Sequence, residues 1–181
     1  MEWYHLNVRV RQQKKHERVG HPPMATPCSQ LISHWKSLNL KIAPGNLQQK
    51  VREFESQNGV ILPSDFREYF LCVDGMAQVG GHDCDPKGFA FWPLARVRDV
   101  VKECAEHSLA LPEPPDPNRY FVFADYLQWS WAYAIHLGDS SLQENQIIHV
   151  GTVRPKIVAN SFARFVDQYL RDAERLYADA A

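Results

Sequence analysis

From Ser29 onward, apolar positions recur at helical or strand spacing and are separated by turn formers. Leu31, Ile32, Trp35 and Leu38 predict a helix, closed by Pro44-Gly45. Leu47, Val51 and Phe54 repeat at i, i+4, i+7, with Asn46 as the expected N-cap and Asn58-Gly59 as the stop. Leu62-Pro63 restarts the chain. Asp65 opposes the dipole of a third helix whose apolar face is Phe66, Tyr69, Phe70 and Val73, ended by Asp74-Gly75. Residues 76–88 carry Gly80-Gly81, Asp83, Asp85, Pro86 and Gly88 and read as a loop. Phe89–Trp92 predicts a short strand, and Val97, Val100, Val101 and Cys104 a further helix ending near His107.

The proline-rich stretch Leu111–Asn118 reads as a stiff surface connection. Strands are predicted over Tyr120–Ala124, Trp131–Leu137 and Gln146–Val150, with a shorter one at Lys156–Val158. Alternation puts Trp131, Tyr133 and Ile135 on one face and Ala132, Ala134 and His136 on the other. Ser161 is the expected cap of a last helix, with a stripe of Phe162, Phe165, Val166, Tyr169, Leu170, Ala173 and Leu176. Helices, then several strands, then a helix predict an α+β fold, with a central, mostly antiparallel sheet flanked by helices in a single domain.

Composition narrows the function classes. The 181 residues carry 20 basic and 21 acidic side chains, a net charge of −1, so there is no global drive toward nucleic acid. No apolar run approaches the ~20 residues of a membrane span, and the N-terminus lacks the apolar stretch of a signal peptide. A soluble, cytoplasmic protein is expected. Residues 1–23 differ: Arg9, Arg11, Lys14, Lys15 and Arg18 outnumber Glu2 and Glu17, leaving residues 24–181 at −4. This basic extension reads either as a disordered arm or as an over-called start ahead of Met24, although Leu6, Val8 and Val10 alternate as a short strand would.

Catalytic chemistry is sparse. The sequence has no GxGxxG, P-loop, GxSxG or HExxH. Cys28, Cys72, Cys84 and Cys104 form no CxxC pair, and Cys72 and Cys104 fall on apolar helix faces, as small hydrophobes do. Cys84, with His82, His107 or His136 as base, is the one thiol-enzyme arrangement on offer, and a solvated turn explains the same residues. His82, Asp83, Cys84 and Asp85 mix hard and soft ligands, so no metal and no cofactor are expected. The aromatics say more. Tyr126, Trp129, Trp131 and Tyr133 crowd around a predicted turn, and those in the turn, Tyr126 and Trp129, are the harder to bury and suit a protein interface.

The run NLQQKVREFESQNGVILPSDFREYFLCVDG, Asn46–Gly75, resembles the opening signature of the SUKH superfamily. Its elements are Phe54-Glu55, the Leu62-Pro63 corner, the aromatics Phe66, Tyr69 and Phe70, and Gly75. Phe91-Trp92-Pro93-Leu94, Phe123-Ala124-Asp125, Trp131–Ile135 and Ser161–Phe165 follow in the family's order, so the likeness covers roughly residues 30–177. That superfamily comprises immunity proteins of bacterial polymorphic-toxin systems and related fungal cell-wall synthesis regulators. The resemblance implies the same α+β fold in a SUKH-like domain over 24–181, used for binding and not for catalysis. The implied partner is a cognate protein toxin domain, of nuclease or deaminase type, with no direct nucleic-acid or membrane contact. The alternative is a regulatory or scaffold module without a toxin partner. The contact face is expected to draw on Asp83, Asp85, Asp125, Tyr126 and Trp129.

Overall fold

A computed structural model describes residues 26–77, 84–107, 114, 116–139, 145–152 and 155–177. The expected strand at 4–10 and the basic extension lie outside these, as do most of the proline-rich connection and His82 and Asp83.

Helix α1 (Pro27–Ser37) starts where the Thr26 hydroxyl accepts the Ser29 N–H, and it buries Cys28, Leu31 and Trp35. Strand β1 (Ile42–Pro44) leads to α2 (Gln48–Asn58), which ends on Gly59 at φ 61°, the left-handed stop its sequence predicts. Its N-cap is Leu47, not Asn46. The Asn46 backbone N–H instead goes to Phe70 O at 2.8 Å, tying the start of α2 to α3 (Ser64–Cys72). The third helix gives way at once to β2 (Val73–Met76), so Asp74-Gly75 lies within a strand that pairs antiparallel with β1. Cross-strand pairing outweighs the local turn propensity of that dipeptide. Cys72 is exposed, contrary to its expected burial, and Cys104 is half-buried.

The larger sheet runs β3-β5-β6-β7-β8, all antiparallel: β3 (Phe89–Phe91), β5 (Tyr120–Tyr126), β6 (Trp131–His136), β7 (Ile147–Val150) and β8 (Ile157–Ala159). The two-residue β4 (Arg98–Asp99) pairs with β5 at Phe121–Val122 and β3 pairs at Ala124–Tyr126, so the two lie end to end along one edge of β5. Helix α4 (Val100–His107) follows β4 directly. Helix α5 (Phe162–Arg171) opens on Ser161, whose hydroxyl accepts the Arg164 N–H. The expected stripe breaks at Asp172, and Ala173–Leu176 continue as a 3-10 turn. Among the described residues no helix is long and apolar enough to cross a membrane.

Alternation along β6 holds as predicted. Tyr133 and Ile135 join the main core with α1, α3 and α5, while Ala132 and Ala134 join a second cluster with Trp92, Val100 and Val122. Strand β5 departs from alternation. Its pairing with β6 shifts between Val122 and Ala124, so Phe123 and Ala124 both belong to the main core. This bulge reverses the faces beyond it. Asp125 then falls on the side of Trp92, and Tyr126 on the side of Trp131.

Candidate functional site

The four expected contact residues that are described meet at one end of the large sheet. Phe89 opposes Tyr126 in the β3–β5 register, which brings the Asp85 turn beside the β5–β6 turn. Leu127 N donates to Gly88 O at 2.8 Å. A Cβ on Gly88, at φ +94°, would sit 2.9 Å from the side chains of both Leu127 and Tyr126, so this close approach requires glycine.

The two aspartates lie inside. Asp85 is 3% exposed and Asp125 4%. Asp85 Oδ1 accepts the N–H groups of Lys87 and Phe89, both at 2.9 Å. Its Oδ2 accepts the Tyr169 hydroxyl at 2.5 Å, and that hydroxyl in turn accepts Trp35 Nε1–H at 3.0 Å. The buried Tyr169 phenol is held protonated, its pKa raised first by burial and then by the Asp85 charge. Asp125 Oδ2 accepts Trp92 Nε1–H at 2.6 Å, and its Oδ1 accepts Trp129 N–H at 3.3 Å. Both carboxylates therefore fasten the ends of strands and turns, and a partner meets neither as a surface charge.

Tyr126 and Trp129 are half-buried and frame the turn. Tyr126 stacks on Trp131 with centroids 4.1 Å apart and planes 13° off parallel, and the Tyr177 ring lies 5.1 Å from it. Trp131 Nε1–H donates to the Tyr133 hydroxyl at 2.9 Å, which donates to Leu176 O at 2.7 Å. Between Tyr126 and Ser130 the backbone does something costly. Leu127, Gln128 and Trp129 have φ of 44°, 53° and 70°, three consecutive non-glycine residues in the left-handed region. Ser130 closes the turn, its N–H donating to Tyr126 O at 2.9 Å and its hydroxyl to Leu127 O at 3.1 Å. The result exposes Gln128 and leaves Leu127 at 51% exposure at the tip.

Glu103 holds this tip from behind. It is fully buried at 0% exposure, on the face of α4 where the sequence predicted only Val97, Val100, Val101 and Cys104; Val101 is 38% exposed. Its Oε1 accepts Trp129 Nε1–H at 3.0 Å, and its Oε2 pairs with Arg98 Nε at 2.6 Å. Arg98 also pairs with Glu106. The Arg96 guanidinium lies 3.7 Å over the Trp92 ring. Burial lowers the pKa of Arg96, against the opposing pull of Asp125 and Glu103. Sequence reading passed over Glu103, Leu127 and Gln128. The one local signal for Glu103 was its place three residues after Val100, on the inward stripe.

Of the bases considered for Cys84, His82 lies outside the described residues, and His136 is far from the thiol. Cys84 precedes the Asp85 turn, at the Tyr126 end of β5, whereas His136 pairs with Tyr120 at the other end. Six residue-to-residue steps along β5 separate those ends, roughly 20 Å at ~3.3 Å per step. Among the described residues, no three His, Cys, Asp or Glu side chains group as a metal site would. The arrangement is an aromatic and aliphatic tip over a buried polar frame.

A model of the SMI1/KNR4 family (SUKH-1) matches residues 45–168, well over half of the chain. No curated protein matches the chain.

Proposed function

The chain belongs to the SMI1/KNR4 family (SUKH-1), and on that premise we propose that it is a non-enzymatic, cytoplasmic immunity protein. It neutralises a cognate toxin domain, of nuclease or deaminase type, by direct protein–protein binding. The contact face centres on the β5–β6 turn. Tyr126 and Trp129 flank it, Leu127 and Gln128 form its tip, Asp85 and Asp125 fix it from within, and Asp83, outside the described residues, is assigned to it from the sequence alone. The observation that carries this reading is the left-handed run at Leu127–Trp129. Three strained residues persist only where the surroundings over-determine them. Here a buried glutamate and a buried aspartate both clamp Trp129, a costly way to hold a loop that meets only water. Preorganised aromatic anchors lower the entropy lost on association.

The test is to survey the neighbouring reading frames for a toxin-like domain and co-express it with this chain; a neighbourhood without one counts against the immunity reading. The wild-type chain should rescue growth, and Leu127→Glu, a surface change that leaves the core intact, should abolish rescue. Toxicity undiminished by the wild-type chain would overturn the immunity reading in favour of a regulatory or scaffold module. Rescue unaffected by Leu127→Glu would remove the turn from the contact face.

A further inference from the structure

Helices α1 and α3 meet through two cysteines as well as through the aromatic core. The Trp35 ring lies edge-on to Tyr69, with centroids 6.5 Å apart. Two turns before Trp35, the Cys28 S–H donates to the sulfur of Cys72, which lies one turn after Tyr69. Cys28 also feels the charge of Glu68, one turn before Cys72 on the same face of α3. Tyr69, between them, feels Cys28 in turn. One thiol of α1 is thus set against the last turn of α3.

The two thiols differ in access. Cys28 is 2% exposed and packed in the main core, whereas Cys72 is exposed. Burial raises the pKa of Cys28, and its hydrogen bond to Cys72 and the charges of Cys72 and Glu68 raise it further, so it stays a thiol at neutral pH. Cys72 is the sulfur that a reagent in solution reaches first. Among the described residues, no third His, Cys, Asp or Glu groups with the pair as a metal site would, so the chemistry left to it is that of a dithiol. Cys104 packs with the second cluster and Cys84 precedes the Asp85 turn; neither is among the groups that act on Cys28.

We propose that Cys28 and Cys72 form a redox-active dithiol that takes a low-molecular-weight disulfide, of the glutathione type, as its oxidant. The Cys72 thiolate attacks one sulfur of that disulfide, whose S–S bond breaks. A mixed disulfide forms on Cys72, and one small thiolate leaves and takes up the proton that Cys72 gave to solvent. The Cys28 sulfur then attacks Cys72 Sγ, the mixed bond breaks, and the second small thiolate leaves with the Cys28 proton. Two protein thiols are oxidised to one internal disulfide, and one small disulfide is reduced to two thiols. Side chains already in sulfur contact meet the proximity that an S–S bond requires. The bond ties α1 to α3, and the exposed sulfur at one end keeps it open to reduction. No partner protein enters the reaction, so it stands or falls apart from the immunity reading.

The test incubates the reduced full chain with oxidised glutathione, blocks the remaining thiols with N-ethylmaleimide and reads intact and peptide masses. The chain is expected to lose two hydrogens, keep two of its four thiols open to the label and yield a peptide cross-linked between Cys28 and Cys72. Excess reduced glutathione should reverse the change. Cys28→Ala should stop at the mixed disulfide, so that Cys72 retains glutathione. Cys72→Ser is an exposed change and keeps the test valid if Cys28→Ala disturbs the core; it should slow loss of the Cys28 thiol by about tenfold or more. Cys84→Ser should leave the cross-link unchanged. Four labelled thiols in the wild-type chain, a cross-link through Cys84 or Cys104, or glutathione retained on Cys72 as fully as in Cys28→Ala would each overturn the proposal.

Discussion

On one face of the large sheet Phe66 meets Phe70 and Phe162 at 4.8 Å, Phe123 at 5.4 Å, and lies parallel to Tyr69 at 6.2 Å. On the other face Val122, Ala132 and Ala134 project little side chain. There Glu103 and Asp125 are buried, each holding an indole N–H, and Arg96 and Arg98 approach from the segment before α4. The aromatic face excludes water chiefly by packing, and the one buried carboxylate at its edge, Asp85, is taken up by the Tyr169 hydroxyl and two backbone N–H groups. The alanine face has room for indoles and salt-bridged side chains because its strands give up volume. Buried charge there contributes less to stability than apolar packing of the same volume, but it fixes geometry, and what it fixes is Trp129. The difference separates a half of the molecule built to hold the fold from a half built to hold a shape at its edge.

The largest effect is expected on the aromatic face. Phe66→Ala removes a side chain of 0% exposure and should cost about 3–5 kcal/mol by urea denaturation. On the other face, Glu103→Ala leaves Trp129 Nε1–H and part of Arg98 without their acceptor. Arg98 is 31% exposed and keeps Glu106, so the loss should be smaller, about 2 kcal/mol. Trp129 fluorescence should shift to the red as its indole is released. A loss as large as that of Phe66→Ala would erase the proposed contrast.

Gln128→Gly sharpens the comparison from the opposite direction. The residue is exposed at φ 53°, so glycine removes left-handed strain and should raise stability by about 0.5–1 kcal/mol in a thermal melt. If the tip is preorganised for binding, the same variant should bind its partner more weakly. The smallest effect belongs to His34, which packs edge-on to Tyr169 at 5.5 Å. Burial lowers its pKa from the usual 6.5, with Lys87 acting in the same direction and Asp85 against it. The unfolded chain then binds the proton more readily, so stability is complete above pH 6.5 and declines as pH falls below it. His34→Gln should flatten that part of the stability–pH curve, and an unchanged slope would remove His34 from the account.

Much of this was legible in the residues. The Ser161 cap, the Gly59 stop, the alternation of β6 and the ordered family signature all rest on interactions between near neighbours or on a period of two. Composition and patterning therefore determined the α+β class, the helical and strand segments and the aromatic turn as a place to look. Tertiary structure decided where the charges went. A one-residue bulge in β5, set by pairing with β6, turned Asp125 toward Trp92 and Tyr126 toward Trp131. Asp85 reads as a solvated turn residue until α5, 84 residues further on, brings the Tyr169 hydroxyl to it. Glu103 breaks an apolar stripe until Arg98 and Trp129 converge on it. Local spacing encodes which face a side chain takes within one element. Whether a carboxylate on that face meets water or donors depends on chain segments that only folding brings into contact.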